Sequence, residues 1–210
     1  MKPYDTEQDK KEQVREMFDR IAPAYDRLNH TLSFQIDKLW RRHVVRIVRR
    51  MQPRRILDVA TGTGDLALAM ARRMRGVQVL GVDLSENMLA EARRKATACG
   101  LDERVVLSLG DAERLEVADA SVDVVTVAFG VRNFGDLGAG LREIARVLKP
   151  GGTFLICNES NGDTDKDEKW TKIINGMTIY QGTELKAYLE QAGFHEVQIH
   201  KNKAGWLCVT

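Results

Sequence analysis

The sequence predicts a doubly wound α/β fold, a parallel sheet with helices on both faces. Three observations predict it. Short apolar runs alternate with helical stretches between residues 55 and 157, the texture of repeated strand–helix units. The first run leads into a glycine loop, Ala60-Thr61-Gly62-Thr63-Gly64, ahead of a helical pattern. The second ends in an acid, Asp83, 19 positions after Gly64 (83 − 64). Ligands of open α/β sheets bind beyond the carboxyl ends of the strands, where both features fall.

The elements follow in order. Residues 1–12 are polar and read as loose. Val14, Met17, Phe18 and Ile21 recur at helical spacing and predict a helix over Gln13–Leu28. A second helix fits Ile36–Met51: Ile36, Leu39, Trp40, Val44, Ile47, Val48 and Met51 share one face, arginines fill the other, and Pro53 stops it. Arg55–Ala60 is then a strand and Asp65–Met74 a helix. Val77–Val82 is a strand and Glu86–Cys99 a helix capped by Ser85. Strands follow at Val105–Leu109 and Val122–Phe129, a helix at Leu137–Leu148, a sharp turn at Leu148-Lys149-Pro150-Gly151-Gly152 and a strand at Thr153–Cys157. Asn158–Lys169 reads as a loop or helix start, Thr183–Gln191 as a helix stopped at Gly193. Val197–His200 and Trp206–Val209 read as an edge hairpin. No internal repeat or low-complexity segment is present.

Composition narrows the class. The 210 residues suit one domain, 43% of them apolar and 30% charged. No apolar run approaches the ~20 residues of a membrane span, and no signal peptide is read at the polar Met1 end. Cys99, Cys157 and Cys208 are odd in number and lack CxxC spacing, which suits a reducing, cytoplasmic setting. A formal charge of +2 gives no global case for nucleic acid. The charge is uneven, however: Lys38, Arg41, Arg42, Arg46, Arg49, Arg50, Arg54 and Arg55 crowd one stretch in which Asp37 is the single acid. Two readings stand, a solvated helix face and a surface that leans on anionic lipid.

The glycine loop fits two cofactors by pattern. Gly62-Thr63-Gly64-Asp65-Leu66-Ala67 satisfies G-x-G-x-x-A, and an acid at residue 83 suits the ribose hydroxyls of any adenosine. A dinucleotide would set its pyrophosphate on this loop, between Asp58 and Asp65. Like charges about 4 Å apart cost on the order of 4 kcal/mol at an effective dielectric near 20. S-adenosylmethionine carries an ammonium and a sulfonium instead, so charge favours it. Asp65 also reads as a helix N-cap. Asp111, in Gly110-Asp111-Ala112 after the third strand, suits an adenine amino group or an ordinary Asp turn. Metal-ligand spacing is absent from Cys157, Cys208, His195 and His200, and no Gly-x-Ser-x-Gly elbow occurs.

Three segments carry a resemblance: Met17-Phe18-Asp19-Arg20-Ile21-Ala22-Pro23-Ala24-Tyr25-Asp26-Arg27-Leu28-Asn29 with Leu32-Ser33-Phe34 and Trp40-Arg41; the Asp58–Asp65 loop with Val82-Asp83-Leu84-Ser85 and Met88-Leu89; and Ala128-Phe129-Gly130-Val131-Arg132-Asn133-Phe134. The chain resembles the quinone C-methyltransferases of menaquinone and ubiquinone biosynthesis, from about Val14 to Gly152. The resemblance implies a Rossmann-like sheet of about seven strands, the last antiparallel. It implies a helical lid over 1–52, a cofactor-binding core over 53–157 and a C-terminal helix and hairpin over 158–210. It implies S-adenosylmethionine as cofactor, leaving as S-adenosylhomocysteine. The cofactor-binding set is Asp58, Ala60, Thr61, Gly62, Thr63, Gly64, Asp83, Leu84, Asp111, Ala112 and Ala128. A serine often stands where this chain has Ala128. After Gly152 the chain departs from the family pattern: it lacks the Phe-Ser-x-Pro stretch and the long helical insert, reads Cys157-Asn158-Glu159-Ser160, and at this end is more similar to other small bacterial S-adenosylmethionine-dependent methyltransferases.

The implied reaction is C-methylation of a hydroquinone ring, an in-line displacement that needs alignment and exclusion of water. No general base stands out, since His30, His43, His195 and His200 are scattered. Arg132 is expected to stabilise a developing phenolate, Asn133 to orient it and Tyr25 to bond the ring hydroxyl. Phe18, Phe34 and Phe129 would line an apolar channel. The acceptor is a small molecule, a quinol, with peripheral membrane contact through the basic 38–50 helix and a homodimer as further expectations. Three alternatives remain open: a methyltransferase of another small molecule, a nicotinamide-dependent oxidoreductase, and a cofactor-binding module without turnover.

Overall fold

The structure, a computed structural model, describes residues 9–32, 36–158, 180–201 and 207–209. Two helices precede the sheet. α1 (Lys10–Leu32) begins three residues ahead of the expected start and runs through Pro23. Lys10, Lys11 and Glu12 are therefore helical rather than loose. Tertiary contacts explain the difference: Lys10 and Lys11 each reach across to the sheet's loops. α2 (Ile36–Arg50) buries Val44, Val45 and Val48 and turns Arg42, Arg46, Arg49 and Arg50 outward.

Five strands form the parallel part of the sheet: β1 (Arg55–Val59), β2 (Gln78–Asp83), β3 (Val105–Leu109), β4 (Val122–Ala128) and β5 (Leu148–Asn158). β6 (Ile199–Lys201) and β7 (Leu207–Val209) add three residues each. β7 pairs antiparallel with both β5 and β6, and the order is β3-β2-β1-β4-β5-β7-β6. The expectation of about seven strands thus holds in the coarser form of a Rossmann-like sheet, with five strands parallel. Between the strands run α3 (Asp65–Arg73), α4 (Glu86–Ala98), α5 (Leu137–Val147) and α6 (Gly182–Gln191).

The alternation of strand side chains sorts the two faces. Ile56, Val79, Val124 and Leu155 pack with α2 and α3, whereas Leu57, Val82, Val125 and Ile156 pack with α5 and α6. Leu141, Ile144 and Leu185 are fully buried on that second face, each stabilising the fold by roughly 1.5–3 kcal/mol. One expected boundary moves. β5 starts at Leu148, which pairs with Val122, but the register then jumps so that Val124 faces Thr153. The Lys149–Gly152 turn bulges out of the strand, with Gly151 at φ 74. The 159–169 segment expected as a loop or helix start lies outside the described residues.

Strand order reverses between β1 and β4, because β2 and β3 build out on one side and β5 on the other. The carboxyl ends of β1 and β4 therefore border a crevice, and α1 lies over it.

Candidate active site

Both strand ends at the crevice are strained. Ala60 follows β1 at φ 55 and Phe129 follows β4 at φ 61, although neither is glycine. Side-chain-bearing residues rarely adopt such angles, and those that do cluster at functional sites. A Cβ on Gly130 would stand 2.6 Å from Ala60 Cβ, so this position admits only glycine without movement. At Gly62 the opposite holds: φ is +56 and a Cβ would meet nothing within 4 Å. The glycine loop thus leaves open space where a ligand can approach the backbone.

Asp83 ends β2 at this space. Its Oδ2 accepts the Gly62 N–H at 2.7 Å and its Oδ1 the Ser85 N–H at 2.9 Å. These bonds fix the carboxylate in the cavity wall and leave lone pairs for further donors. Burial raises its pKa, opposed by the backbone N–H groups of Ser85, Gly62 and Leu84. Asp111 accepts the Glu113 N–H at 2.9 Å, an Asp turn, and takes an ion pair from Lys11 at 2.8 Å. Lys11 also pairs with Glu113 at 2.6 Å.

The cavity brings together Ala60, Gly62, Asp83, Leu84, Asp111, Ala112 and Ala128 of the expected cofactor set, and all three expected catalytic residues, Arg132, Asn133 and Tyr25. Phe18 and Phe129 also line it, while Phe34 lies outside the described residues. Arg132 and Asn133 stand on a single 3-10 turn, Val131–Asn133, after β4. Burial lowers the Arg132 pKa, against the pull of Tyr25; a guanidinium keeps its charge in proteins nonetheless. His43, His195 and His200 are exposed and line a separate groove.

Four expected cofactor residues do not line the cavity: Asp58, Thr61, Thr63 and Gly64. Asp58 is buried beneath the floor and accepts hydrogen bonds from Thr61 and Thr126. Its pKa is raised to about 6 by burial, which those hydroxyls only partly oppose. Thr63 donates to Asp26 of α1 at 2.5 Å. Gly64, not Asp65, is the N-cap of α3, and it makes no side-chain cap bond. Asp65 pairs with Lys95 at 2.6 Å and Arg41 at 2.8 Å. The two charges expected to flank the loop are thus a buried acid of raised pKa and a paired one. That removes them as grounds for choosing the cofactor, and the acids in the cavity wall, Asp83 and Asp111, take their place.

The sequence reading missed the ties that hold α1 down. Lys10 Nζ donates to the carbonyls of Phe134 at 2.7 Å and Arg132 at 3.3 Å. Ser85 Oγ donates to Asp19 Oδ1 at 2.5 Å while also capping α4 at the Met88 N–H. Lys95 joins Asp26 to Asp65. Asp19 and Asp26 stand within the first motif segment, so their presence was visible but their partners were not. Nothing local marks Lys95.

Comparison with known proteins bears on this geometry. The model of the ubiE/COQ5 methyltransferase family matches residues 6–169. The demethylmenaquinone methyltransferase of Bacteroides fragilis is 46% identical over 225 positions, covering 96% of this chain and 92% of that protein. The ubiquinone/menaquinone biosynthesis C-methyltransferase UbiE of Geobacter sulfurreducens is 46% identical over 149 residues, 70% of this chain and 58% of that protein. An N-methyltransferase of Haemonchus contortus, solved with phosphomonomethylethanolamine and S-adenosylhomocysteine, superposes with a TM-score of 0.65 at 28% identity. It covers 73% of this chain and 37% of that one. The Bacteroides match reaches into the tail.

Proposed function

The chain belongs to the ubiE/COQ5 methyltransferase family and is an S-adenosylmethionine-dependent methyltransferase; from that premise we propose that it methylates a ring carbon of a demethylmenaquinol-type hydroquinone. The observation that carries this reading is one cavity whose wall holds Asp83 and Gly62 on one side and Arg132, Asn133 and Tyr25 on another. The residues fit the cofactor. Asp83 offers carboxylate oxygens to ribose hydroxyls, Gly62 leaves the space beside it open, and Asp111 and Ala112 stand at the third strand for an adenine. When bound, S-adenosylmethionine supplies an electrophilic methyl group on a sulfonium.

The chain's own residues supply the rest. Phe18 and Phe129 give the cavity apolar walls, with α1 as its roof, so water is kept from the reacting ring. Arg132 is half-buried and charged, and stabilises negative charge on the ring oxygen as its proton passes to water. That charge makes the adjacent ring carbon nucleophilic; once that carbon carries the methyl group, its hydrogen leaves as a proton to water and the ring becomes aromatic again. Asn133 and Tyr25 orient the hydroxyl from the neighbouring turn and from the roof. Of the histidines whose side chains are described, His43, His195 and His200, none lines the cavity.

The test is methyl transfer to demethylmenaquinol, with the methylated position read from the product. Carbon methylation is expected, and Arg132→Lys should lower kcat at least tenfold while leaving S-adenosylmethionine affinity within twofold. Transfer to oxygen alone, or an Arg132→Lys enzyme of unchanged kcat, would overturn respectively the acceptor reading and the role of Arg132.

A further inference from the structure

α2 and α3 together form a cationic cleft. Lys38, Arg41, Arg42, Arg46 and Arg49 of α2 face Arg72 and Arg73 of α3 across it, and among the described residues Asp65 is its one acid. Asp65 is already held by Arg41 and Lys95. Arg42, Arg46, Arg49 and Arg73 are exposed and have no acid partner among the described residues. Yet the whole chain carries a formal charge of only +2. A solvated helix face usually interleaves signs. Here like charges are crowded on two helices, which costs stability through mutual repulsion.

One apolar side chain accompanies these charges: Leu39, beside Lys38 on α2, is 62% exposed. Charges that bind phosphodiesters together with apolar side chains that insert between them are the two components of interfacial binding. No aromatic residue is among the exposed large hydrophobic side chains of this face, which removes the stacking element of single-stranded nucleic-acid sites. The next residue along α2, Trp40, packs edge-on against Phe129 of the cavity wall, centroids 4.9 Å apart. α2 therefore joins the cationic cleft to the cavity.

We propose that the α2–α3 cleft docks the protein on an anionic phospholipid surface and so presents the cavity to a lipid-borne acceptor. The second half of this inference rests on the proposed function; the docking itself does not. Each arginine near such a surface contributes roughly fivefold to partitioning.

The experiment is flotation with vesicles of phosphatidylcholine alone or mixed with phosphatidylglycerol, alongside transfer to a water-soluble, short-tailed hydroquinone. The protein should bind only the mixed vesicles, and less so in high salt. Arg42→Gln with Arg46→Gln should weaken that binding roughly 30-fold, while Arg142→Gln, an exposed arginine elsewhere, should not. Turnover of the soluble hydroquinone should be unchanged in all three proteins. Equal binding to neutral vesicles, no binding to either, or an undiminished double variant would overturn the proposal. So would a change of oligomeric state in the double variant, or capture of duplex DNA in preference to vesicles. Loss of soluble turnover in the native protein would instead fail the acceptor reading alone.

Discussion

The hydroxyl of Thr63 donates to the carboxylate of Asp26 at 2.5 Å, which ties the glycine loop to helix α1. The second Asp26 oxygen holds Lys95 at 2.7 Å, so one acid of α1 meets both the loop and α4.

Thr63→Val removes that tie with little change of volume. A buried hydrogen bond lost in this way costs about 1 kcal/mol. The variant should cut faster within α1 under limited proteolysis, and S-adenosylmethionine should restore much of the protection. If cleavage is as slow as in the native protein, the lid is held by its other contacts.

Asp58 makes stability depend on pH. Its folded pKa is about 6 against an ordinary value of 3.8, so between those values the folded state binds more protons than the unfolded one. Stability is then lost as pH rises through the window from about pH 4 to pH 6, by roughly 3 kcal/mol in all. Asp58→Asn cannot ionise and can still bond both threonines. The stability difference between Asp58→Asn and the native protein should grow in the variant's favour across that window. A constant difference would mean that Asp58 titrates normally.

Asp83→Asn keeps shape but loses the charge offered to a ribose. Hydrogen bonds to charged groups contribute about 1.5–3 kcal/mol, so S-adenosylmethionine affinity by titration calorimetry should fall roughly 10- to 100-fold, with thermal stability much less affected. An unchanged affinity would move the ribose site off β2.

Gly130→Ala should be a folding defect. The added methyl would meet Ala60 Cβ at 2.6 Å and Val127 Cγ1 at 2.9 Å, both short side chains that cannot swing aside. Overpacking of this kind costs about 1–3 kcal/mol, which urea unfolding reads directly. Gly62→Ala has free space but puts a side chain at φ +56, a strain of about 1 kcal/mol, so it should lose ligand affinity by more than this small loss of stability; a stability loss as large as that of Gly130→Ala would contradict the cradle.

Much of this was readable from the chain. The β3 boundaries fall at Val105 and Leu109 as the apolar run indicates, and Ser85 caps α4 as its position suggests. These signals are local: a short apolar run and a side chain bonding three residues ahead. What could not be read depends on partners distant in sequence. Asp65 sits where a cofactor-facing acid belongs, but Lys95 is 30 positions away and Arg41 comes from α2. Lys10 looks like tail until its ammonium finds carbonyls at 132 and 134. The motif segments located the cavity; long-range ion pairs decided which of their residues face it.

The left-handed backbone of Ala60 and Phe129 has a consequence for anyone reshaping this protein. Replacing Ala60 by glycine would relax a conformation that side-chain-bearing residues avoid, by about 1 kcal/mol, whereas at Phe129 the same relief is outweighed by loss of the ring that packs on Trp40. At Ala60 the change would also strip the cavity wall of the methyl that faces Gly130. Selection for thermal robustness and selection for turnover should therefore pull Ala60 in opposite directions.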